Sequence, residues 1–560
     1  MEKRVVVAIA LSIAILFAFR YYQERTGQIP KQRPPIAETT TGSNQKPPVQ
    51  AEVKPTAAPA PLAELPAEES VPARQIVIQS DLYRAVLDNR GAVLTSWQLT
   101  RFKTGKGEIF EMIPTAHAEQ DQYPGSLVFE DEALKTLANT QNYAVEIIDG
   151  KDGGGALIAP ATVVMRLRRG DVVIEKRYQF EAANYLVHLK ATLQRGNQAL
   201  RGRILLGQDV GPDAEHLLNP SIQLTAVSDI GGKIQRDAGP KDEKEVKAIA
   251  GDVRWVGLDL QYFAEIAIPA QAMSAFDIQR IPVKIKDLSG QEIERNRIRL
   301  TLPAEGSTGY KLYIGPKSQE HVNAVPGADL SGVIDFGTYL GILVKPLLAA
   351  LRWINQYAHN WGLSIILLTF GLTLVLFPIR LKQMVSMKKM QVLQPQVKEI
   401  QERYKRYKKT DPKRAEMNQE VMAVYKEHKV NPLGGCLPML LQMPLLFAFY
   451  RLLNIAIELR HAPFVGWLQD MSAKDPYYIL PIVMGITMLI SQKMTPMAPS
   501  TDPTQAKMML LMPVVMTFFF LNVSSGLNLY FLCSNVFQIA FQKVAERWVG
   551  DQRPERKSKT

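Results

Sequence analysis

Side chains with hydrogen-bonding groups sit inside stretches that are otherwise apolar enough for a lipid bilayer, with Thr517 and Asn522 at the end of one of them. Thr369 and Thr373 are four apart in one stretch and so share a helical face. Gln442 lies in a second. Asn528, Ser534, Asn535 and Gln538 lie in a third, where Asn528 and Asn535 are seven apart and nearly in line. An amide facing hydrocarbon without a partner costs several kcal/mol. Such residues must therefore face one another or a water-holding cavity. Pairing between helices is one outcome and contributes only about 0.6–2 kcal/mol per pair. A shared hydrophilic cavity fits the whole group better, and its chemistry is solvation of a polar group part-way through lipid. No reactive constellation accompanies it. The chain has no GxxxxGK[ST], GxSxG or HExxH and no metal-spaced Cys/His group. His188 and His216 have no ligand-like spacing. Cys436 and Cys533 lie in apolar segments and read as small buried hydrophobes. The expectation is a non-enzyme without cofactor, metal or small-molecule substrate.

The elements that must carry these residues are apolar helices. Five apolar stretches fall at about 361–380, 433–453, 477–492, 508–523 and 527–542. Between the first two lies a basic insertion, 380–430, with fourteen Lys/Arg against six Asp/Glu. A membrane protein keeps such a block on its cytoplasmic side. The net charge of +12 gathers there and in the tail, where 543–560 has six Lys/Arg and three Asp/Glu. The outer loop 454–476 has only Arg460 and Lys474 against three acids, which is consistent. The insertion reads as a helical hairpin: 381–409 has few breakers apart from Pro395, and Asp411-Pro412 supplies a cap and first-turn proline for a second helix. Its positive face predicts contact with an anionic partner, RNA or lipid headgroups.

The rest of the chain divides by composition. Residues 1–26 hold the apolar run VVVAIALSIAILFAF behind Lys3 and Arg4. It leads into Phe19-Arg20-Tyr21-Tyr22, which fits a retained membrane anchor better than a cleavable signal. Residues 27–75 are rich in Pro, Ala, Thr, Gln and Glu and read as a flexible linker. Residues 76–334 read as a large antiparallel β-sandwich. The clearest hairpin is 162–180, turning at Gly170-Asp171, followed by an alternating stretch at 185–195; further turns fall at Asn89-Arg90-Gly91, Gly153-Gly154-Gly155 and Gly231-Gly232. Residues 335–358 mix apolar side chains with Lys345, Arg352, Asn355 and Gln356, which suits a helix lying in the membrane interface. The fold class is thus a polytopic α-helical membrane protein with a large all-β (sandwich) periplasmic domain, a core at 359–545 and a basic cytoplasmic tail at 546–560.

Three segments are specific when taken together: NPLGGCLPMLLQMP from Asn431, DPYYILP from Asp475 with the following MGITMLISQKM, and SSGLNLYFLCSN from Ser524. With them the chain closely resembles the YidC/Oxa/Alb family of membrane protein insertases in its Gram-negative six-span form. The motifs cover about 335–545; the anchor, linker and β domain agree in order and size. The resemblance implies a five-helix core around a hydrophilic groove open to cytoplasm and lipid and closed outward. It implies insertion of nascent membrane proteins into the bacterial inner membrane, alone or with the Sec translocon (including SecD/SecF), and contacts with ribosome and lipid. Both termini would be cytoplasmic. It carries substrate-helix contact onto Leu446, Phe519, Tyr530 and Phe531. The basic contacts to ribosome or lipid fall on Lys388, Lys389, Arg403, Lys405 and Arg406 in the hairpin and Arg553, Arg556 and Lys557 in the tail.

One position departs from the pattern. Bacterial members usually carry an arginine in the second span, within the groove; alignment on Trp361-Gly362 and Phe377-Pro378 puts Thr373 there, and no Lys, Arg or His lies between Trp361 and Phe377. Arg380 is expected at the cytoplasmic end of that span, and Arg451 is expected to snorkel near the outer interface. A secondary transporter is disfavoured because the spans show no internal repeat, and an intramembrane hydrolase because nucleophile motifs are missing.

Overall fold

The computed structural model describes residues 71–550, apart from 106, 115–121, 212–223, 244, 287–290, 338, 408–410, 429–436 and 495–502. The anchor, most of the linker, His216, Cys436 and the tail cations Arg553, Arg556 and Lys557 lie outside the described residues. Two compact units divide at about residue 315.

The first unit is β-rich. Its strands form one antiparallel ladder. The exception is Gln75–Gln79, which pairs in parallel with Leu157–Arg169. The expected hairpin is Leu157–Arg169 against Val172–Phe180, with Arg169 opposite Val172 across the Gly170-Asp171 turn. Strand Leu186–Arg195 adds to it. Gly231 and Gly232 take φ of 57° and 83°, the left-handed pair that a two-residue hairpin needs. His188 faces Glu181, with Nε2 2.6 Å from Oε1. One short helix, α1 (Glu132–Thr140), interrupts the strands; Asp131 caps it by accepting from the Ala133 and Leu134 N–H groups.

The core of this β-rich unit is aromatic. Tyr83 stacks on Trp97 with ring centroids 4.2 Å apart, and Phe180 closes the group. Beside them Lys176 is buried, 1% exposed. Its ammonium donates to the carbonyls of Gly91 (2.6 Å), Gly125 (2.7 Å) and Ala92 (3.3 Å). Among the described residues no carboxylate shares that site. Gly91 and Gly125 have φ of 72° and 92°. A Cβ on Gly125 would lie 2.4 Å from the Tyr178 hydroxyl, so the loop must be glycine to bring its carbonyl to the lysine.

The second unit is helical: α2 (Gln319–Asn323), α3 (Gly341–Ala358), α4 (Trp361–Val392), α5 (Gln394–Arg403), α6 (Lys413–Glu427), α7 (Leu437–Ile455), α8 (Ile479–Met494), α9 (Pro503–Phe520) and α10 (Ser525–Gly550). Val344, Leu347, Leu348 and Leu351 of α3 recur at helical spacing and are buried against Ala448, Phe449, Leu452 and Leu453 of α7 and Ile365 and Leu368 of α4. The other face of α3 shows Ile342, Trp353 and Tyr357, all at least 60% exposed. Arg352 ties α3 to the loop after α7 through Glu458 (2.6 Å). Asn360 starts α4 by accepting the Leu363 N–H at 2.9 Å. The helix then runs 32 residues, with Pro378 inside it and not ending it. The hairpin differs in one detail from expectation. Helix α6 begins after Pro412, and Asp411 caps it from one residue earlier through the Lys413 N–H (3.0 Å). Met390, Leu393, Val397 and Ile400 pack on Val421 and Tyr425, giving the hairpin its own small core.

Burial pushes the Lys176 ammonium down from 10.5 to about 7. Between those values the unfolded chain holds more protons, so folding stability should rise with pH and be flat below about 7. The slope is at most about 1.4 kcal/mol per pH unit. Denaturation of the full chain followed by tryptophan fluorescence should show this rise, and Lys176→Met should abolish it. The same variant should lose about 1–3 kcal/mol at pH 7, because the loop carbonyls are left without a donor. An unchanged pH profile would show that the lysine does not titrate in this window.

Candidate functional site

Three helices bring the polar residues together. On α4, Thr369, Thr373 and Arg380 lie four and seven residues apart and so share one face. Thr369 and Thr373 are buried, at 1% and 3% exposure. Their hydroxyls donate to the carbonyls of Ile365 (2.6 Å) and Thr369 (2.7 Å), so both are satisfied within their own helix. Arg380 reaches across to α7, where Nη2 donates to Gln442 Oε1 at 3.1 Å. Gln442 Nε2 in turn donates to the Tyr530 hydroxyl of α10 at 3.2 Å. The chain Arg380–Gln442–Tyr530 therefore stitches α4, α7 and α10. Arg380 Nη1 is buried with no hydrogen-bond partner among the described residues.

The apolar run ends at residue 380 and the helix continues twelve residues further, with the Arg380 guanidinium turned onto α7. The helical period was the available signal: Arg380 is two turns below Thr373 on the same face. Arg451 has a partner that its spacing did not show. Its guanidinium is committed to Asp335, with Nε 2.9 Å from the main-chain carbonyl and Nη2 on the carboxylate.

The four polar residues of α10 do not act alike. Asn528 is wholly buried, and its Nδ2 donates to the carbonyls of Phe520 and Val523, both at 3.2 Å. It thereby caps the end of α9, a structural job that its spacing from Asn535 did not show. Its Oδ1 has no hydrogen-bond partner among the described residues, and the same is true of Asn535 Nδ2. Ser534 is buried and Gln538 half-buried.

Of the side chains aligned with substrate contact, Phe519 is 48% exposed and Leu446 and Phe531 are half-buried. Tyr530 is buried at 1% and stacks on Phe449 with centroids 4.0 Å apart, so its ring belongs to the core and only its hydroxyl enters the polar chain. On the hairpin Lys389, Arg403, Lys405 and Arg406 are exposed and Lys388 is half-buried. Arg406 and Lys413 sit 5.1 and 5.0 Å over the Tyr407 ring, which holds the two cations at the hairpin tip.

Comparison with known proteins agrees along the whole chain. Residues 75–350 match the YidC periplasmic domain, and residues 353–552 match the family described as 60Kd inner membrane protein. The membrane protein insertase YidC of Geotalea daltonii is 35% identical, over 97% of this chain and 98% of that protein. The chain belongs to the YidC family of membrane protein insertases. Another YidC insertase, from Citrifermentans bemidjiense, is 36% identical over 98% of this chain and all of that one. A solved structure of an active YidC insertase with its first transmembrane domain resolved aligns over 85% of this chain and 93% of that one, at 15% identity and a TM-score of 0.37. A YidC-family chain is a membrane protein with a periplasmic domain, here the mostly β-sheet first unit, and the family is one of insertases rather than catalysts. Among the described residues one helix, Trp361–Met390, is long and apolar enough to cross a bilayer; Ile479–Met494 and Leu511–Phe520 are shorter apolar helices.

Accessibility should separate the polar positions. Single cysteines placed at Asn535 and Gln538 should react with a membrane-impermeant thiol reagent faster than one at Thr373. Equal labelling at Thr373 would mean that α4 turns its threonines toward water.

Proposed function

We propose that the chain integrates nascent apolar segments into the inner membrane through a half-depth polar notch bounded by α4, α7 and α10. The observation that supports this reading is a set of polar atoms without hydrogen-bond partners among the described residues: Asn535 Nδ2, and Arg380 Nη1, whose companion Nη2 begins the chain to Gln442 and the Tyr530 hydroxyl. Within lipid such atoms are tolerable only with water or a client's polar groups.

In this reading α4, α7, α8, α9 and α10 are five spans and residues 5–19 a sixth. An α-helix of 19 residues, the length of α7, rises about 28 Å, close to the ~30 Å hydrocarbon depth. The basic hairpin marks the cytoplasmic end. Exposed aromatics mark the other: Tyr339, Trp353 and Tyr357 around α3, and Trp467, Tyr477 and Tyr478 near the start of α8. Such a ring sits at headgroup level, which suits α3 as an interfacial helix. Both termini then face the cytoplasm.

A client's polar flank must cross the hydrocarbon, and a charge at the midplane costs roughly 2.5–3.5 kcal/mol on insertion scales. A wet notch reaching half-way shortens the dry path. The apolar client segment then leaves sideways into lipid past Leu446, Phe519 and Phe531, the downhill step. Arg380 supplies the notch's positive charge, two turns nearer the cytoplasm than the position held by Thr373. The cations Lys388, Lys389, Arg403, Lys405 and Arg406, with Arg553, Arg556 and Lys557 in the tail, hold the ribosome or anionic lipid near the mouth. The chain does this alone or with the Sec translocon, including SecD/SecF.

The test is insertion of a single-span client into vesicles holding the full-length protein. Arg380→Leu should slow clients with acidic flanks and leave neutral-flank clients near the parent rate. Thr373→Arg alone should weaken the protein, since a second guanidinium would crowd a buried position on the Arg380 face. Thr373→Arg combined with Arg380→Thr should recover much of the acidic-flank preference. If Arg380→Leu treats both client types as the parent does, Arg380 is not the notch's charge. Insertion no faster than in empty vesicles would remove the whole reading.

A further inference from the structure

The Trp361 end of the bundle is covered by residues 456–474, a segment to which nothing above gives a job. It is compact rather than loose. Ile457, Leu459, Ala462, Leu468 and Met471 are buried, and Leu459, Leu468 and Met471 belong to the bundle's own core.

Besides the Arg352–Glu458 pair with α3, three ties hold it down. The first is to α4. The Phe464 carbonyl accepts from Asn360 Nδ2 at 3.2 Å, and the Phe464 ring lies so close that a Cβ on Gly362 would be 2.1 Å from it. The second is to the start of α10, where the Ser525 N–H donates to the Ala473 carbonyl at 2.7 Å and the Gly526 N–H to the Met471 carbonyl at 2.9 Å. The third is a single side chain. Asp475 is 1% exposed. Its Oδ1 accepts the Trp467 indole N–H (3.1 Å) and the Tyr477 N–H (3.0 Å), while Oδ2 accepts the Leu480 N–H (2.7 Å). No cation is among its partners in the described residues. A carboxylate buried this deeply is stable only when donors surround it. Here the donors come from the cover on one side and from the N-terminus of α8 on the other, where the helix dipole favours negative charge.

We propose that Asp475 is the latch of an ion seal: it holds residues 456–474 shut over the outer end of the insertion site. This rests on the notch reading above. If water enters the bundle to half depth from the hairpin end, the apolar cover is what separates that water from the far side. Asp475 touches no notch residue and acts only by position, so loosening it should open a leak before it impairs insertion.

The experiment uses the full-length protein in phosphatidylethanolamine–phosphatidylglycerol vesicles containing a pH-sensitive dye. After an acid jump outside, Asp475→Asn should admit protons several-fold faster than the parent while inserting a single-span client at a similar rate. Ala473→Cys and Ser525→Cys are then added to Asp475→Asn, at positions joined by a main-chain bond. Oxidising that pair should return proton entry to the parent rate, and reducing it should restore the leak. A purely structural role would not give a leak that a cross-link cures. Parent-like tightness in Asp475→Asn, or a leak that persists after cross-linking, overturns the latch. If Asp475→Asn does not reconstitute, Trp467→Phe, which removes the indole donor, takes its place with the same two outcomes. Client insertion by the parent is measured in the same vesicles. Its absence would remove the notch reading, while the comparison of leak rates still decides the latch.

Discussion

Polar groups buried away from bulk water must find partners inside the protein, and the helical unit is organised around how it meets that requirement. The threonines of α4 turn their hydroxyls back onto their own helix. Asn528 spends its amide on the carbonyls of Phe520, the last residue of α9, and of Val523 in the turn that follows. Arg380, Gln442 and Tyr530 share one chain of hydrogen bonds among three helices. Among the described residues, what is left over after this accounting includes Arg380 Nη1 and Asn535 Nδ2, and the proposed notch is built on these two. An arginine in this setting is tolerated because its five donors can be divided between a fixed amide and a transient guest.

The β-rich unit solves a similar problem differently. Lys176 replaces a missing counter-charge with three carbonyls from two glycine turns. The turns are thereby tied to the strand that carries the lysine, and the aromatic stack of Tyr83, Trp97 and Phe180 packs alongside. Glu265 is a second wholly buried titratable group, its carboxyl pushed well above the ordinary range by burial. A Cβ on Gly207 would lie 2.4 Å from its Oε2, so glycine is required there too.

Much of this was legible in the residues. The hairpin at 162–180 announced itself by alternation around Gly170-Asp171, and the helices by apolar length and caps. The motif at Asp475 identified the family but not the work of its carboxylate, because the partners Trp467 and Leu480 are placed by tertiary structure. Asn528 and Asn535 looked equivalent from spacing alone; one proved to be a cap because the helix before it ends within reach. Arg380 was read at the end of the apolar run, but its bond to Gln442 was not, because the partners are 62 residues apart and meet only in the folded bundle. The exposed face of α3 was expected from composition, but the Arg352–Glu458 pair that fixes its rotation was not, since the partners are 106 residues apart.

The Asn528 cap has a mechanical corollary. Because one amide grips the end of α9 from within α10, those two helices swing as a welded corner. The opposite wall is different. Ala448, Phe449, Leu452 and Leu453 root α7 in the core toward its Ile455 end, while Met443 and Phe447 nearer its start stand 39% and 47% exposed. Any widening of the bundle to admit a bulky guest is therefore a flexing of that free half, with the Gln442 bonds as the catch that gives way first.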